Sequence, residues 1–377
     1  MKARFLLPFL LLLGFSAALQ AQTLDEKLPV RGLCISAPST RNVDTFVRFI
    51  NEELAPAKIN LLILRVDWNY AFESHPELRD ANPLTKADVD KLVNACKEHG
   101  IRLVPQINLL GHQSWAKETH NLLRVYPEFD ETPLVNTENY SRWPNPDRLY
   151  CKSYCPLHPE VHKIVFELVD EICEAFQSDA FHAGMDEVFY IGEDQCPRCK
   201  GKNKAELFAG EVTTIHDHLA LGGRQLMIWG DRLIDGRTTG LGEWEASYND
   251  TWQAVDLIPK DVLICDWHYH RSELTPAYFA TKGLPVVACG YNEPDACVDQ
   301  IQDMMLLRSH AVKASGQRLQ GYVHTIWSDS GRFLRAYYGQ EQRRRPNDEA
   351  AAERPRREQS RDADALKAVL KLFREME

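Results

Sequence analysis

The sequence predicts an α/β fold, and within that class a closed (β/α)8 TIM barrel. From residue 29 onward, eight short apolar segments alternate with stretches whose apolar residues recur at helical spacing. A TIM barrel requires eight strands, each followed by a helix or by a segment of helix length. An open doubly wound sheet is disfavoured, because no Gly-x-Gly-x-x-Gly motif follows the first predicted strand.

The predicted strands are mostly aliphatic, as expected for strands that are covered on both faces. They cover residues 31–36, 59–66, 101–108, 180–187, 224–231, 262–269, 285–291 and 319–327. Helical spacing predicts helices over residues 42–55, 85–98, 158–176, 205–221, 275–282 and 295–315, with Thr85 as the N-cap of the second. A long loop separates the third strand from the third helix.

Residues 1–21 have the three parts of a secretory signal peptide. A basic start at Met1–Arg4 precedes an apolar run from Phe5 to Phe15, and small residues lead to an expected cleavage site near Ala21. The run is short for a membrane span, although an uncleaved anchor is the alternative. We therefore expect an exported protein, periplasmic or extracellular, without a stable membrane anchor.

The rest of the chain divides into a predicted barrel domain, residues 29–340, and a charged C-terminal tail, residues 341–377. The tail is dense in Arg, Glu and Asp, and residues 364–376 have the spacing of one short amphipathic helix. The formal net charge is −10, and no long basic stripe precedes the tail. This charge distribution argues against nucleic acid as the main partner.

Four of the ten cysteines lie in polar loops, namely Cys151, Cys155, Cys196 and Cys199. Export favours disulfide bonds between them. The spacing of Cys196 and Cys199, however, resembles half of a zinc knuckle, which a second pair of cysteines would complete. Both alternatives stay open at this point, and either one gives these cysteines a structural role.

Two neighbouring carboxylates, Asp186 and Glu187, close the fourth predicted strand. Side chains alternate along a strand, so we expect His182, Gly184 and Asp186 to share one face. Two carboxylates this close cannot both ionise cheaply, so one is expected to hold its proton near neutral pH. A bare Asp-Glu pair more often caps a helix, but the neighbouring strand ends favour acid/base catalysis here.

Polar and aromatic residues also close five of the other predicted strands. They are Asn108 and His112 after the third strand, Trp229 and Asp231 after the fifth, Asp266, Trp267 and Tyr269 after the sixth, Tyr291 after the seventh, and Trp327 and Asp329 after the eighth. Active sites of TIM barrels lie at the carboxyl ends of the strands. We therefore expect a pocket with aromatic walls and a carboxylate floor, which suits a sugar.

These residues resemble glycoside hydrolase family 20, the β-N-acetylhexosaminidases, over roughly residues 31–329. The segment His182–Glu187 resembles the family's His-x-Gly-Gly-Asp-Glu signature, and Pro105–His112 resembles its Pro-Glu-Ile-Asp-x-Pro-Gly-His segment. Arg31-Gly32 resembles the Arg-Gly of the family's first strand, whose Arg binds sugar hydroxyls. The segment His75–Leu78 is similar to the family's Tyr-Pro-x-Leu.

Several positions depart from the family pattern. Met185 replaces a Gly, which a strand should tolerate, and Asn108 replaces an Asp that pairs with the following His. Asp329 stands where the family has Glu. The Leu-Asp-x-x-x-Arg that follows Arg-Gly in the family is absent, as is its common N-terminal accessory domain. The resemblance is therefore to a divergent member that consists of the barrel alone.

The resemblance implies substrate-assisted retaining hydrolysis of terminal β-linked N-acetylhexosamine on a glycan, with no metal or organic cofactor. It implies that Glu187 is the acid/base and that Asp186 orients the 2-acetamido group. The remaining residues form the expected substrate-binding set. It comprises Trp229, Trp267 and Trp327 as pocket walls, Tyr269 or alternatively Tyr291 as donor to the acetamido oxygen, Arg31 and Asp329 for ring hydroxyls, and His112, Asp231 and Asp266.

Two alternative functions remain. A retaining glycosidase for neutral sugars would use Glu187 as the acid and Asp231 or Asp329 as the nucleophile. An exported glycan-binding protein would keep the pocket without turnover. We favour catalysis, because a pure binder need not keep an acid beside a charge partner.

Overall fold

Eight parallel strands form a closed barrel whose carboxyl ends meet at one rim. The computed structural model describes residues 23–115, 118–135, 151–340 and 353–376, with side chains described from residue 361 in the last segment. The predicted signal peptide, residues 1–21, and residues 341–352 of the predicted tail lie outside the described residues.

The barrel strands follow one another around the barrel in chain order, and the first pairs with the last. They are β1 Val30–Ser36, β2 Leu61–Arg65, β3 Arg102–Leu109, β4 Ala180–Gly184, β5 Gln225–Trp229, β6 Leu263–Trp267, β7 Val286–Gly290 and β8 Leu319–Ile326. Pairing of Val30 with Gly321 and of Ile35 with Ile326 closes the barrel. The predicted (β/α)8 fold is confirmed.

Helices surround the barrel. They are α1 Leu24–Lys27, α2 Val43–Phe49, α3 Lys86–Glu98, α4 Asn121–Val125, α5 Val161–Ala175, α6 Lys204–Leu221, α7 Gly236–Thr239, α8 Thr275–Thr281, α9 Pro294–His310, α10 Lys313–Arg318, α11 Ser330–Tyr337 and α12 Glu353–Glu375. A π-helical turn, Ile50–Leu54, continues α2. Thr85 caps α3 in a capping box with Asp88. The single helix predicted over residues 295–315 is broken at Ala311, whose backbone is extended.

Side chains of each strand alternate between the barrel interior and the layer of helices. On β6, the side chains of Leu263, Cys265 and Trp267 belong to the interior cluster, together with Trp229 of β5. Ile264 belongs to the larger core between strands and helices. Asp266 therefore lies on the helix-facing side of β6, and this placement matters for the site.

The fourth predicted strand was extended too far. β4 ends at Gly184, because Gly184 and Met185 both have φ of +66° and Glu187 has φ of +51°. A strand requires negative φ, so residues 185–187 form a loop. Asp186 and Glu187 therefore project from a turned backbone, and the predicted sharing of one strand face by Asp186, Gly184 and His182 is wrong.

A short hairpin and the C-terminal helix complete the description of the fold. A short antiparallel hairpin, Ser114–Trp115 with Glu118–Thr119, follows β3. The last helix, α12, begins before residue 364 and buries Leu366, Val369, Leu370 and Phe373 in the core. Among the described residues, none of the helices has the length and apolar character needed to cross a membrane.

Candidate active site

The loop after β4, which carries Asp186 and Glu187, has a backbone conformation that costs free energy in residues other than Gly. Three of the four residues 184–187 have positive φ, and two of these, Met185 and Glu187, are not Gly. Gly184 is required for a second reason, since a Cβ there would lie 1.7 Å from Oδ1 of Asn108. Such local strain is typical of functional sites.

His112 bridges the two acids. Its Nε2 lies 3.1 Å from Oδ2 of Asp186 and 3.0 Å from Oε2 of Glu187. These are ion-pair contacts, because Nε2 is aligned for a full hydrogen bond with neither carboxylate. Both carboxylates are nearly buried, at 5% and 9% exposure. Structure thus brings together three of the predicted site residues at the rim formed by β3 and β4.

Electrostatics favour a charged His112 beside a charged Asp186. Burial alone would lower the pKa of His112, but the nearby carboxylates of Asp186 and Glu187 outweigh it and raise this pKa well above its usual value. Burial likewise works against the charge of Asp186, but His112 holds the pKa of Asp186 below its usual value. The two groups therefore form an ion pair at neutral pH.

Cys151 joins this cluster from the loop that precedes α5. Its Sγ lies 3.4 Å from Oε2 of Glu187 and 3.7 Å from Nδ1 of His112. Burial raises the pKa of the Cys151 thiol to about 12, so the group is a neutral S–H donor. The sequence analysis placed Cys151 among four structural loop cysteines, and the structure separates it from the other three.

Asp231, two residues after β5, connects the acid loop, residues 185–187, to the aromatic residues. Its Oδ2 accepts hydrogen bonds from the backbone N–H of Glu187 (2.9 Å) and from Nε of Arg232 (2.6 Å). Its Oδ1 accepts one from Nε1 of Trp267 (3.2 Å). Burial, partly opposed by Arg232, raises the pKa of Asp231 to about 6. Asp231 thus fixes the position of Glu187 through its backbone.

Aromatic rings line the same end of the barrel. Trp229 is buried, with its ring centroid 4.6 Å from that of His182 and 5.6 Å from that of Trp327. The Nε1 of Trp327 donates to the hydroxyl of Tyr269 at 2.7 Å. Tyr269 in turn contacts two further rings, those of Trp267 at 5.0 Å and Tyr291 at 5.3 Å between centroids.

Some polar atoms in this region are buried but have no hydrogen-bond partner among the described residues. They include Oδ1 of Asp186, Nε1 of Trp229 and Oδ1 of Asn108. Buried polar atoms are nearly always hydrogen-bonded in native proteins, because an unpaired one costs free energy. Their concentration beside the acids and the indoles is typical of a site that binds a polar ligand.

The predicted role of Arg31 in holding sugar hydroxyls is not supported by its position. Arg31 is the second residue of β1, and its guanidinium donates to the carbonyl groups of Leu28 and Lys58 and pairs with Asp25. Those partners precede β1 and β2. Arg31 therefore lies at the amino end of the barrel, opposite the acids, where contacts serve stability.

Two other predicted site residues are also held away from the acid cluster, which consists of His112, Cys151, Asp186 and Glu187. Asp266 is buried on the helix-facing side of β6, where it accepts a hydrogen bond from Thr275 (2.6 Å) and lies 3.2 Å from Nε2 of His268. The exposed Asp329 caps α11 by accepting from the N–H of Arg332 at 2.9 Å. The common capping function of Asp thus explains Asp329.

The sequence analysis missed two residues at the end of β2, namely Arg65, its last residue, and Asp67, two residues farther along the chain. The guanidinium of Arg65 lies 4.6 Å from the ring centroid of Trp327 and donates to the carbonyl of Ile326 at 2.8 Å. Oδ1 of Asp67 accepts from the N–H of Asn108 at 2.9 Å. Their position at a strand end was the available signal, as it was for the residues that close the third to eighth strands.

Two groups of described residues have the side chains to hold a metal ion. One consists of His112, Cys151 and Glu187 within the acid cluster. The other consists of Glu131, Cys155, Cys196 and Cys199, all buried, on the flank of the same loops. The first group already forms an ion-paired network, whereas the second has no internal countercharge among its four members.

Similar proteins share this barrel. A chitobiase from Flavobacterium johnsoniae superposes with a TM-score of 0.58 at 20% identity, over 91% of this chain and 52% of that protein. A β-N-acetylhexosaminidase from Bacteroides fragilis gives 0.56 at 16% identity, over 81% of this chain and 62% of that protein. At these identities the similarity shows the fold alone.

Curated relatives are similar in sequence. A lacto-N-biosidase from Bifidobacterium bifidum is 25% identical over 214 residues, which is 54% of this chain and 17% of that protein. A beta-hexosaminidase from Emericella nidulans is 24% identical over 266 residues, 64% of this chain and 40% of that protein. The chain thus spans well under half the length of these two relatives.

A family model matches a larger share of this chain than either curated relative does. Residues 41–310, which contain the acid loop, match the model of the glycosyl hydrolase family 20 catalytic domain. This range includes β2 to β7 and the residues of the acid cluster. The chain therefore belongs to glycosyl hydrolase family 20.

Proposed function

We propose that this protein is a glycosidase that removes terminal β-linked N-acetylhexosamine from glycans by substrate-assisted retaining hydrolysis. In this mechanism the carbonyl oxygen of the sugar's 2-acetamido group is the nucleophile. The enzyme then needs a hydrogen-bond acceptor for the acetamido N–H, a hydrogen-bond donor to the acetamido oxygen, and one residue that acts as acid and base. Family membership and the geometry of the site support each of these requirements.

The observation that carries the proposal is the unequal use of the two oxygens of Asp186. Oδ2 lies beside the His112 imidazole, whereas Oδ1 is buried and has no hydrogen-bond partner among the described residues. An ionised carboxylate only accepts hydrogen bonds. Oδ1 is therefore suited to accept the acetamido N–H and to turn the acetamido oxygen toward the anomeric carbon.

Tyr269 is the candidate donor to the acetamido oxygen. Its hydroxyl accepts the hydrogen of Trp327 Nε1, so its own hydrogen remains for a ligand. The Trp229, Trp267 and Trp327 rings supply apolar surface for the methyl group and for the sugar's C–H faces. Together these contacts hold the acetamido group in a conformation close to that of attack.

Glu187 acts as acid and then as base. In the first step Glu187 gives its proton to the glycosidic oxygen while the acetamido oxygen bonds to the anomeric carbon, and the leaving alcohol departs. The product is a cyclic oxazolinium ion, whose positive charge the Asp186 carboxylate stabilises. In the second step Glu187 takes a proton from water, which attacks the anomeric carbon and reopens the ring. Two inversions retain the configuration.

The geometry disfavours a protein carboxylate as the nucleophile. Both oxygens of Asp231 are already engaged, by Arg232, the Glu187 amide and Trp267. Asp329 is exposed and caps α11. Neither carboxylate of the second enzyme hypothesis is thus left free to attack a sugar.

The test compares aryl β-N-acetylglucosaminide with aryl β-glucoside, using the wild type, Glu187→Gln and Asp186→Asn. We expect cleavage of the acetamido substrate only. Glu187→Gln should lose about a hundredfold or more in kcat with poor leaving groups, and much less with activated ones. Asp186→Asn should lose activity with both kinds of leaving group, because Asp186 orients the acetamido group, which is the nucleophile. Asp329→Asn, which changes an exposed cap, is the matched control.

Other outcomes distinguish the alternatives. Comparable cleavage of the aryl glucoside would favour a protein nucleophile. Tight binding of an N-acetylglucosamine oligomer without hydrolysis would favour a glycan-binding protein. Wild-type rates in both acid variants would show that the roles of Asp186 and Glu187 are wrong.

We also propose that the protein is exported, on the pattern of residues 1–21. N-terminal sequencing of the protein from the periplasm or medium should find a chain that begins just after Ala21. An intact N-terminus on protein that fractionates with the cytoplasm would contradict export.

A further inference from the structure

Three cysteines and a glutamate converge outside the acid cluster, and we call them the thiolate cluster. Its members are Glu131, Cys155, Cys196 and Cys199, each at most 2% exposed. Their four potential ligand atoms all lie within 4.8 Å of one another. The Sγ of Cys155 lies 3.4 Å from that of Cys199 and 3.3 Å from that of Cys196.

The backbone around the thiolate cluster is well defined by hydrogen bonds. Glu131 and Cys155 flank a short antiparallel pairing, in which Glu131 N donates to Ser153 O (3.1 Å) and Cys155 N to Phe129 O (2.6 Å). Cys196 and Cys199 lie on a turn closed by the N–H of Lys200, which donates to Cys196 O at 2.9 Å. A Cys-x-x-Cys turn that presents two sulfurs to one point is typical of a zinc knuckle.

Disulfide bonding explains this arrangement poorly. A disulfide requires an S–S distance near 2.05 Å, and the sulfurs here are more than 1 Å farther apart. Three sulfurs also cannot all pair among themselves. A disulfide would also not explain why the carboxylate of Glu131 lies among the three sulfurs.

Glu131 provides an independent indication of a ligand. Its Oε1 accepts from the N–H of Glu193 at 3.1 Å, while its Oε2 is buried without a hydrogen bond of good geometry among the described residues, and the neighbouring polar atoms are the cysteine sulfurs. A buried carboxylate oxygen with no donor is costly, and a bound cation removes that cost.

We propose that the thiolate cluster binds one Zn²⁺ in a closed tetrahedral site, with Cys155, Cys196, Cys199 and Glu131 as the ligands. Thiolate ligands select zinc and other soft cations, whereas calcium and magnesium prefer oxygen ligands throughout. Four protein ligands leave no open position, so the zinc has a structural role. This inference does not depend on the proposed glycosidase activity.

The zinc crosslinks the two loops that carry the acid cluster. Cys155 lies four residues after Cys151, whose thiol contacts Glu187, and Cys196 lies nine residues after Glu187 itself. Within the first of these loops, Lys152 donates to the carbonyl of Thr132 at 3.1 Å, next to Glu131 in the chain, and Glu131 in turn accepts from the N–H of Glu193 in the second. Loss of the ion should therefore loosen both the Cys151 segment and the segment that follows Glu187.

The experiment measures metal in the full chain, purified without a chelator and without a metal-affinity tag. Elemental analysis should find about one zinc per chain. Cys199→Ser and Glu131→Gln should bind less zinc and release it at a lower chelator concentration. Cys173→Ser, which removes a buried thiol on α5, is the matched control and should keep the full zinc content. Cobalt(II) exchanged into the wild type should show the thiolate-to-cobalt charge-transfer and intense visible bands of a tetrahedral site.

A zinc-free wild type whose denatured mass is two hydrogens below that of ten free thiols would overturn the proposal in favour of a disulfide. A cobalt-exchanged protein without visible bands would also overturn it. If Cys199→Ser fails to fold, Glu131→Gln decides the question, since it preserves the shape of the side chain. Unchanged chelator sensitivity in folded Glu131→Gln would remove Glu131 from the ligand set.

Discussion

The thiol of Cys151 lies 3.4 Å from Oε2 of Glu187, and it is placed to donate a hydrogen bond to the proposed acid/base. The same sulfur lies 3.7 Å from the imidazole of His112, which faces Glu187 from its other nitrogen. Cys151 is therefore a positioning residue for Glu187, held in place by a loop that the thiolate cluster also anchors.

Replacement of this thiol tests its positioning role. Cys151→Ala should lower kcat by about tenfold, because the thiol stabilises the charge that Glu187 gains as it gives up its proton, and a hydrogen bond to a charged group contributes about 1.5 kcal/mol. Cys151→Ser keeps a donor and should retain most of the activity. Steady-state kinetics with Cys173→Ala as the control measures the effect, and an equal loss in the Ser and Ala variants would contradict it.

The unionised state of Cys151 has a separate consequence. Because burial raises the pKa of its thiol to about 12, almost no thiolate exists near neutral pH. We expect that iodoacetamide at neutral pH leaves Cys151 unmodified and the activity unchanged, as measured by peptide mass spectrometry. Rapid alkylation of Cys151 in the folded protein would show that the thiol is ionised or exposed.

His112 makes the stability of the protein depend on pH. Its folded pKa is raised well above the unfolded value near 6.5, so its contribution is fully present below pH 6.5 and is lost as pH rises through the folded pKa. Its partner Asp186 has a lowered pKa, so that contribution is present above the unfolded value of 3.8 and is lost as pH falls through the folded pKa. Denaturant unfolding of the wild type should therefore show stability decreasing above pH 6.5.

His112→Gln provides the comparison, because it removes the imidazole without leaving a large cavity. Its free energy of unfolding should depend less on pH above 6.5 than that of the wild type. Parallel curves for the two proteins across this range would mean that His112 is not the group responsible.

Arg31 and Arg65 should separate stability from substrate binding. Arg31 holds carbonyl groups at the amino end of the barrel, so Arg31→Met should lower Tm by about 5 °C and leave KM unchanged. Arg65 lies over the ring of Trp327, so Arg65→Met should raise KM under the proposed function. A raised KM in Arg31→Met, with Tm unchanged, would restore the hydroxyl-binding role predicted from the sequence.

Met185 tests whether the acid loop is strained. Met185 is buried and has φ of +66°, so any variant loses packing, but only Gly relieves the backbone. Loss of the buried side chain costs about 2–5 kcal/mol, while left-handed backbone costs about 1–2 kcal/mol. Both Met185→Gly and Met185→Ala should be destabilised, and the Gly variant should be the more stable of the two by about 1 kcal/mol. Denaturant unfolding measures the order, and a more stable Ala variant would contradict strain at this position.

The barrel was predictable because its strands are continuous aliphatic runs whose spacing leaves room for one helix each. Strand ends then brought Asp186, Asp231 and Trp267 to one rim without any knowledge of loop structure. The assignment of Asp266 to the site was wrong because side chains alternate along a strand. Since Trp267 faces the barrel interior, its neighbour Asp266 must face the helices. Arg31 was assigned by resemblance, although its place at the start of β1 puts it at the other end.

The periodicity of apolar residues could not predict where the loop residues lie. Cys151 and Glu131 belong to the long segment between β3 and α5, whose course is determined by long-range contacts such as Glu131 with Glu193. The left-handed residues after β4 were also missed, because Met185 is unusual in a conformation that Gly normally adopts. The alternation of side chains therefore described the strand correctly only as far as Gly184.

The Trp267 indole donates a hydrogen bond to Asp231, so its fluorescence should report changes at the rim of the barrel. Indole emission responds to nearby charge, and Asp231 also holds the backbone of Glu187. A sugar that binds against the partly exposed ring of Trp327 would change the polarity around that ring, which changes both the intensity and the colour of indole fluorescence. Occupancy of the barrel mouth can thus be followed by titration with unlabelled glycans, including those that are never cleaved.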